Sequence, residues 1–201
     1  MNRMFCLMML FSFPLVGFSQ TADEYFKRGN SKADIYDNRG AIEDYDNAIK
    51  QDPNHANSYF NRAILKTKIQ DHRGAVSDYT KFIELRPNNA DAFGNRGSSK
   101  EFLKDYRGAL NDFTKVIELR PKDVYAYYQR GVSKRMLRDY QGAITDYTKA
   151  IELNPNFSYA YCGRGLSKIV LNQKNSACFD FSKAGELGDV TAYEWIKKYC
   201  Q

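Results

Sequence analysis

Four stretches decide the fold: DNAIKQDP (residues 46–53), TKFIELRP (80–87), TKVIELRP (114–121) and TKAIELNP (148–155). Their prolines, Pro53, Pro87, Pro121 and Pro155, stand 34 residues apart. The residues upstream repeat at the same period. DNRGAIEDY, DHRGAVSDY, DYRGALNDF and DYQGAITDY begin at Asp37, Asp71, Asp105 and Asp139. Further upstream stand YFKRGNSK, YFNRAILK, FGNRGSSK, YYQRGVSK and YCGRGLSK, beginning at Tyr25, Tyr59, Phe93, Tyr127 and Tyr161. A fifth copy is decayed: it ends in ACFDFSKAGELGD (177–189) and lacks the proline. A fixed period of this length marks a stacked-repeat architecture. The units are expected to span residues 22–55, 56–89, 90–123, 124–157 and 158–191.

Each unit reads as two helices. In the first, an aromatic is followed four places later by a small residue, as in Tyr25 and Gly29 or Tyr127 and Gly131, which puts both on one face. Asp37 or Asp71 then opens a turn and is available to cap the second helix. Ala41, Tyr45 and Ala48, like Ala143, Tyr147 and Ala150, recur at helical spacing, and proline ends the unit.

On these residues the chain resembles the tetratricopeptide repeat family. The second-helix alanine falls at Ala41, Ala75, Ala109, Ala143 and Ala177, and the aromatic at Tyr45, Tyr79, Phe113, Tyr147 and Phe181. The resemblance covers residues 22–191 and implies an all-α, right-handed α-solenoid of five helix-turn-helix units. The last ten residues, 192–201, are expected to form a capping helix. Tyr193, Trp195, Ile196 and Tyr199 would meet the open end, and Lys197 and Lys198 would face water.

The sequence also departs from the family pattern. Arg stands where Leu is usual, at Arg28, Arg62, Arg96, Arg130 and Arg164. Lys stands where Tyr is usual, at Lys32, Lys66, Lys100, Lys134 and Lys168. An aspartate precedes every second-helix aromatic: Asp44, Asp78, Asp112, Asp146 and Asp180. An Arg and an Asp recurring together predict a ladder of ion pairs between packed helices, because guanidinium and carboxylate form strong bidentate bonds. The lysine row is expected to be solvated.

Residues 1–19 read as a secretory signal peptide. Arg3 is the sole charge before Asp23, Met4 to Phe13 is apolar, Pro14 interrupts it, and Gly17 and Ser19 offer a cleavage site after Ser19. A spanning helix needs about 20 apolar residues, so membrane attachment is expected only if this segment stays uncleaved. A periplasmic or secreted location follows. It would make the medium oxidising for the three cysteines beyond Cys6, namely Cys162, Cys178 and Cys200. Cys178 occupies the apolar slot of Ile42, Val76, Leu110 and Ile144, which faces the following helix. There the following helix is the cap, so a Cys178–Cys200 disulfide is one reading and three buried thiols the other.

Composition narrows the function class. The 201 residues carry a net charge of +6 from 30 basic and 24 acidic side chains, with acid close to base in most helices. No unbroken basic stripe forms, so nucleic acid is not the expected partner. No phosphate-binding glycine loop, HExxH, CxxC or GxSxG occurs, and His55 and His72 read as surface residues. Acidic residues recur with the repeat, as structural residues do. Neither an enzyme, a cofactor nor a small-molecule substrate is expected.

The family resemblance implies that first helices line a concave groove that receives a peptide or helix of another protein. By position its front half is polar, with Asp23, Lys27, Asn30, Asn61, Lys68, Asp91 and Asn95. Its back half is apolar and aromatic, with Tyr125, Tyr128, Val132, Met136, Tyr159, Cys162 and Leu166. One sub-type of the family grips a C-terminal carboxylate. Asn30 and Asn61 match its asparagines, but Phe26, Asp91 and Asn95 occupy its basic places, so that clamp is broken. The function expected is a non-catalytic adaptor or scaffold of the cell envelope. The alternatives are a structural component acting through its convex face or by self-association, and a cell-wall glycan-associated accessory protein.

Overall fold

The computed structural model describes residues 20–201, and the signal-peptide reading therefore lies outside the described residues. Among them the chain is all helical. The first helices of the units are α1 (Ala22–Asp34), α3 (Ala56–Lys68), α5 (Ala90–Phe102), α7 (Val124–Met136) and α9 (Ser158–Val170). The second helices are α2 (Asn38–Gln51), α4 (His72–Leu85), α6 (Tyr106–Leu119), α8 (Tyr140–Leu153) and α10 (Lys174–Glu186), and α11 (Thr191–Tyr199) closes the chain. No helix among the described residues is long and apolar enough to cross a membrane.

Local chemistry sets the boundaries. Thr21 and Glu24 form a capping box at the start of α1. Asp37, Asp71, Asp105 and Asp139 each accept the amide of the glycine three residues on, at 2.9–3.0 Å, starting α2, α4, α6 and α8. Every first helix ends in a Schellman motif. In α5, for example, the amide of Lys104 donates to Glu101 and that of Asp105 to Lys100. The residue that must adopt positive φ there is Tyr36, Gln70, Lys104, Arg138 or Asn172, at 58–66°, never glycine. The left-handed region costs a non-glycine residue about 1–2 kcal/mol.

Each helix pair closes over its second-helix aromatic. Tyr45, Tyr79, Tyr147 and Phe181 are fully buried, and Phe113 is 3% exposed. The first helix approaches so closely that a Cβ on Gly165 would lie 2.6 Å from the Phe181 ring. Every second helix packs on the first helix of the next unit, and successive first helices also touch, α3 with α5, α5 with α7 and α7 with α9. These contacts stack the units into a right-handed solenoid with the first helices inside.

At the C-terminal end Ala192 and Trp195 of α11 pack with Tyr161, Cys162 and Ala184, and Tyr199 stacks on Phe181. Cys178 and Cys200 are joined by a disulfide, 22 residues apart in sequence. Cys162 is free and buried. It was placed in the groove lining by position, but α11 covers it, and its thiol donates to Asp189 at 3.1 Å. Burial and that carboxylate push the Cys162 thiol up to about 12.

Candidate functional site

Arginine, lysine and aspartate form one ion-paired frame in every unit. In the third unit Arg96 Nε donates to Asp112 Oδ2 at 3.0 Å and Nη2 to Oδ1 at 2.6 Å. The same fork joins Arg62 to Asp78, Arg130 to Asp146, Arg164 to Asp180 and Arg28 to Asp44. The Arg28 guanidinium holds the Asp44 carboxyl below the usual carboxylate range. Each guanidinium also lies over the aromatic three residues before it, Tyr25, Tyr59, Phe93, Tyr127 or Tyr161, at 5.0–5.5 Å.

The lysine row is not solvated as expected. Lys32, Lys66, Lys100, Lys134 and Lys168 each reach the same aspartate at 2.8–2.9 Å. The physical reason is spacing: Lys stands four residues after Arg, hence on the same face, and the arginine fork leaves lone pairs free on the carboxylate. The arginine has a further bond that sequence reasoning missed. Its Nη1 donates to Thr80, Thr114 or Thr148 of the preceding unit, in the third, fourth and fifth units. The signal was the threonine two residues after Asp78, Asp112 and Asp146; after Asp44 the place is held by Asp46, which takes the Nη1 of Arg62.

The histidines are not ordinary surface residues. His55 Nδ1 lies 2.8 Å from Ser58 Oγ and Nε2 3.2 Å from Asp23, with the ring against Phe26. His72 stacks on Phe102 at 4.4 Å. Both rings pack because each lies where one helix meets the next.

The concave face varies from unit to unit. At its front, Asn30 accepts from Tyr45 Oη at 2.8 Å and from Asn61 Nδ2 at 2.9 Å, so the two asparagines are bonded to each other. At its back, Tyr125 and Tyr159 are 69% and 59% exposed. Both sit edge-on to Phe157, at 5.2 and 5.9 Å, and Tyr128 fills the space beside them at 5.2 Å from Phe157. Val132 and Tyr128 are half-buried in the cluster around Tyr147, while Met136 is exposed. Met136 and Leu166 share a second cavity, of ≈ 310 Å³, with Arg135, Ile169, Val170 and Tyr199. Tyr147 Oη, unlike Tyr45 Oη, is buried with no hydrogen-bond partner, because Val132 and Gly163 stand where Asn30 and Asn61 serve Tyr45.

Between the two halves lies a cavity of ≈ 250 Å³, bounded by α5, α6 and α7 and open to solvent on one side. Its apolar walls are Ala90, Phe113, Val116 and Ala126, and Asn95, Ser98 and Gln129 supply polar lining. Asp91 and Arg120, also in the lining, form a bidentate pair at 2.6 and 2.9 Å. The Arg120 guanidinium lowers the Asp91 carboxyl from its ordinary range. Half-exposed as this pair is, solvent screens it and it adds little to stability. Asp123 is held by the Ala126 amide.

Family models of the tetratricopeptide repeat match residues 56–89, 90–123 and 124–157. The chain belongs to the tetratricopeptide repeat family. Solenoids of this family are protein–protein interaction scaffolds, and that is the function class of this chain. Among solved structures it is similar to MamA, with 27% identity over 82% of this chain and 96% of that one at a TM-score of 0.77. A MamA from Desulfovibrio magneticus RS-1 matches at 22% identity, 83% and 94% coverage and a TM-score of 0.78. YrrB, a TPR protein with an unusual peptide-binding site, matches at 20% identity, 88% and 92% coverage and a TM-score of 0.81. Identities of 20–22% carry the fold alone. No curated protein matches the chain.

Proposed function

We propose that this tetratricopeptide protein is a non-catalytic adaptor of the cell envelope that holds a peptide or helix of a partner protein in its concave groove. The observation that carries this reading is the pair Tyr125 and Tyr159. Both are large, exposed and braced by Phe157, whereas the aromatics that recur in the same register of every second helix are buried. Rigid aromatic side chains with one open face are the usual anchors of protein recognition. Polar groups along the front half and the cavity lining can bond a peptide backbone. The envelope assignment draws on the signal-like residues 1–19 and is supported by the Cys178–Cys200 disulfide, which suits an oxidising compartment.

Site-specific photo-crosslinking in cells tests this. A photoreactive residue at Tyr159 or Asn95 is expected to capture one discrete protein, and one at Lys149, on the outer second-helix face, is expected not to. Capture only from Lys149 would move the assignment to a structural component acting through its convex face. Capture of a second copy of the chain would indicate self-association. Retention of the mature protein on insoluble cell-wall glycan, without a protein partner, would favour the glycan-associated alternative.

A further inference from the structure

In three of the five units one aromatic of the first helix fills the same space. Phe26 packs 5.8 Å from Tyr45 and 5.0 Å from His55. Phe60 packs 5.8 Å from Tyr79 and 4.8 Å from Phe82. Tyr128 packs 5.8 Å from Tyr147 and 5.2 Å from Phe157. In the fifth unit the residue is Cys162, and α11 closes over it. In the third unit the residue is Gly94. A Cβ there would meet nothing nearer than Val116 Cγ2 at 3.8 Å. The ≈ 250 Å³ cavity lies where the missing ring would be: its lining includes Gly94, Phe113, Val116 and Asp123, the counterparts of Phe60, Tyr79, Phe82 and Asn89 one unit earlier.

We infer that this vacancy is a socket for an aromatic side chain, phenylalanine or tyrosine, carried by the partner segment that lies in the groove. The inference deepens the groove reading above and rests on it. Three units show what the frame accepts at this point, because the chain's own Phe26, Phe60 and Tyr128 occupy it there. Size agrees, since an apolar protein cavity of roughly 150 Å³ already takes up benzene. The floor, Phe113 and Val116, offers the ring the contacts it would have inside a repeat. Asn95, Ser98 and Gln129 offer hydrogen bonds to the backbone on either side of the inserted residue. Two carboxylates, Asp91 and Asp123, against one guanidinium, Arg120, leave the lining mildly acidic, which favours a neutral or basic segment.

The test uses the mature chain, methyl-labelled for NMR, and the capped pentapeptide Gly-Gly-Phe-Gly-Gly with its Gly-Gly-Ala-Gly-Gly counterpart. The phenylalanine peptide is expected to shift the Val116 and Ala126 methyl signals saturably, with weak, roughly millimolar affinity. The alanine peptide is expected to leave them in place. Gly94→Phe supplies the missing ring from within. It is expected to raise the unfolding midpoint, by about 2–4 °C, because it replaces a mid-helix glycine and fills a void. It is also expected to weaken the phenylalanine peptide at least about tenfold. A Gly94→Phe protein that binds the peptide unchanged overturns the socket, as do peptide shifts confined to the Val132 and Ala160 methyls beside Phe157. A Gly94→Phe protein that is destabilised overturns it too, because the space would not then accept a ring. Each of these results can occur while Tyr159 still captures a partner in cells, so failure of the socket is separable from failure of the groove.

Discussion

The seam between the two helices of a unit and the concave face of the stack obey different rules. Along the seam, Arg, Lys and Asp recur in all five units with the same bonds, even in the decayed fifth. Along the concave face the corresponding positions change from one unit to the next. One register reads Phe26, Phe60, Gly94, Tyr128, Cys162, and another Asn30, Ile64, Ser98, Val132, Leu166. A residue that every unit needs is bound to the frame that every unit shares. A residue that only some units carry has been released from that duty, and the proposed recognition surface draws on such residues. The difference separates the frame from the proposed recognition surface without reference to any ligand.

The largest effect that would sharpen this contrast is expected at the seam. Asp112 is 3% exposed and neutralises two cations, so Asp112→Ala strands both and should cost about 3–5 kcal/mol in chemical denaturation. A loss under 1 kcal/mol would mean that the pairs are solvated in effect. Next comes the C-terminal staple. Cys200→Ser opens a loop closed across 22 residues of sequence and should cost about 2–4 kcal/mol, read most clearly as faster amide exchange in α10 and α11. Exchange unchanged in α11 would show that the packing of Tyr199 on Phe181 and of Trp195 on Tyr161 and Cys162 suffices there. Lys100→Ala leaves Asp112 its arginine fork and should cost only about 1–2 kcal/mol, so the ratio to Asp112→Ala measures how the aspartate divides its bonds. The smallest effect has the opposite sign. Lys104 is held at φ 62°, and Lys104→Gly removes the left-handed penalty while adding the entropy cost of glycine, for a net gain of up to about 1 kcal/mol. A loss of stability would show that the lysine side chain contributes packing the turn depends on.

Much of the frame was legible in the sequence because a repeat reports each structural requirement several times over. The 34-residue spacing of the prolines, the alanines and the second-helix aromatics fixes an all-α stack, and the Arg and Asp columns point at each other. The lysine column taken alone reads as solvated; its neighbours decide otherwise. Four residues after an arginine on one helix face, it meets the same carboxylate. A place near a turn suggests exposure for His55 and His72, but each is half-buried, its ring packed on an aromatic from another helix. Cys162 was assigned to the groove by register, which takes no account of the helix that covers it. The cavity is the instructive omission. Its signal was a single glycine, Gly94, in a column of larger residues. Recurrence marks the frame, whereas a cavity of this kind appears as a lapse in the recurrence.

If recurring residues hold the fold and the variable concave residues hold the partner, the two roles separate under mutation. The most direct test measures thermal midpoint and partner capture side by side, with a photoreactive residue at Gln129 in every protein. Tyr125→Ala combined with Tyr159→Ala is set against Lys100→Ala. A crossover is expected: the tyrosine pair keeps its midpoint and loses capture, while Lys100→Ala lowers the midpoint and keeps capture below it. Capture that survives loss of both tyrosines, or that falls only in step with the midpoint, would contradict it.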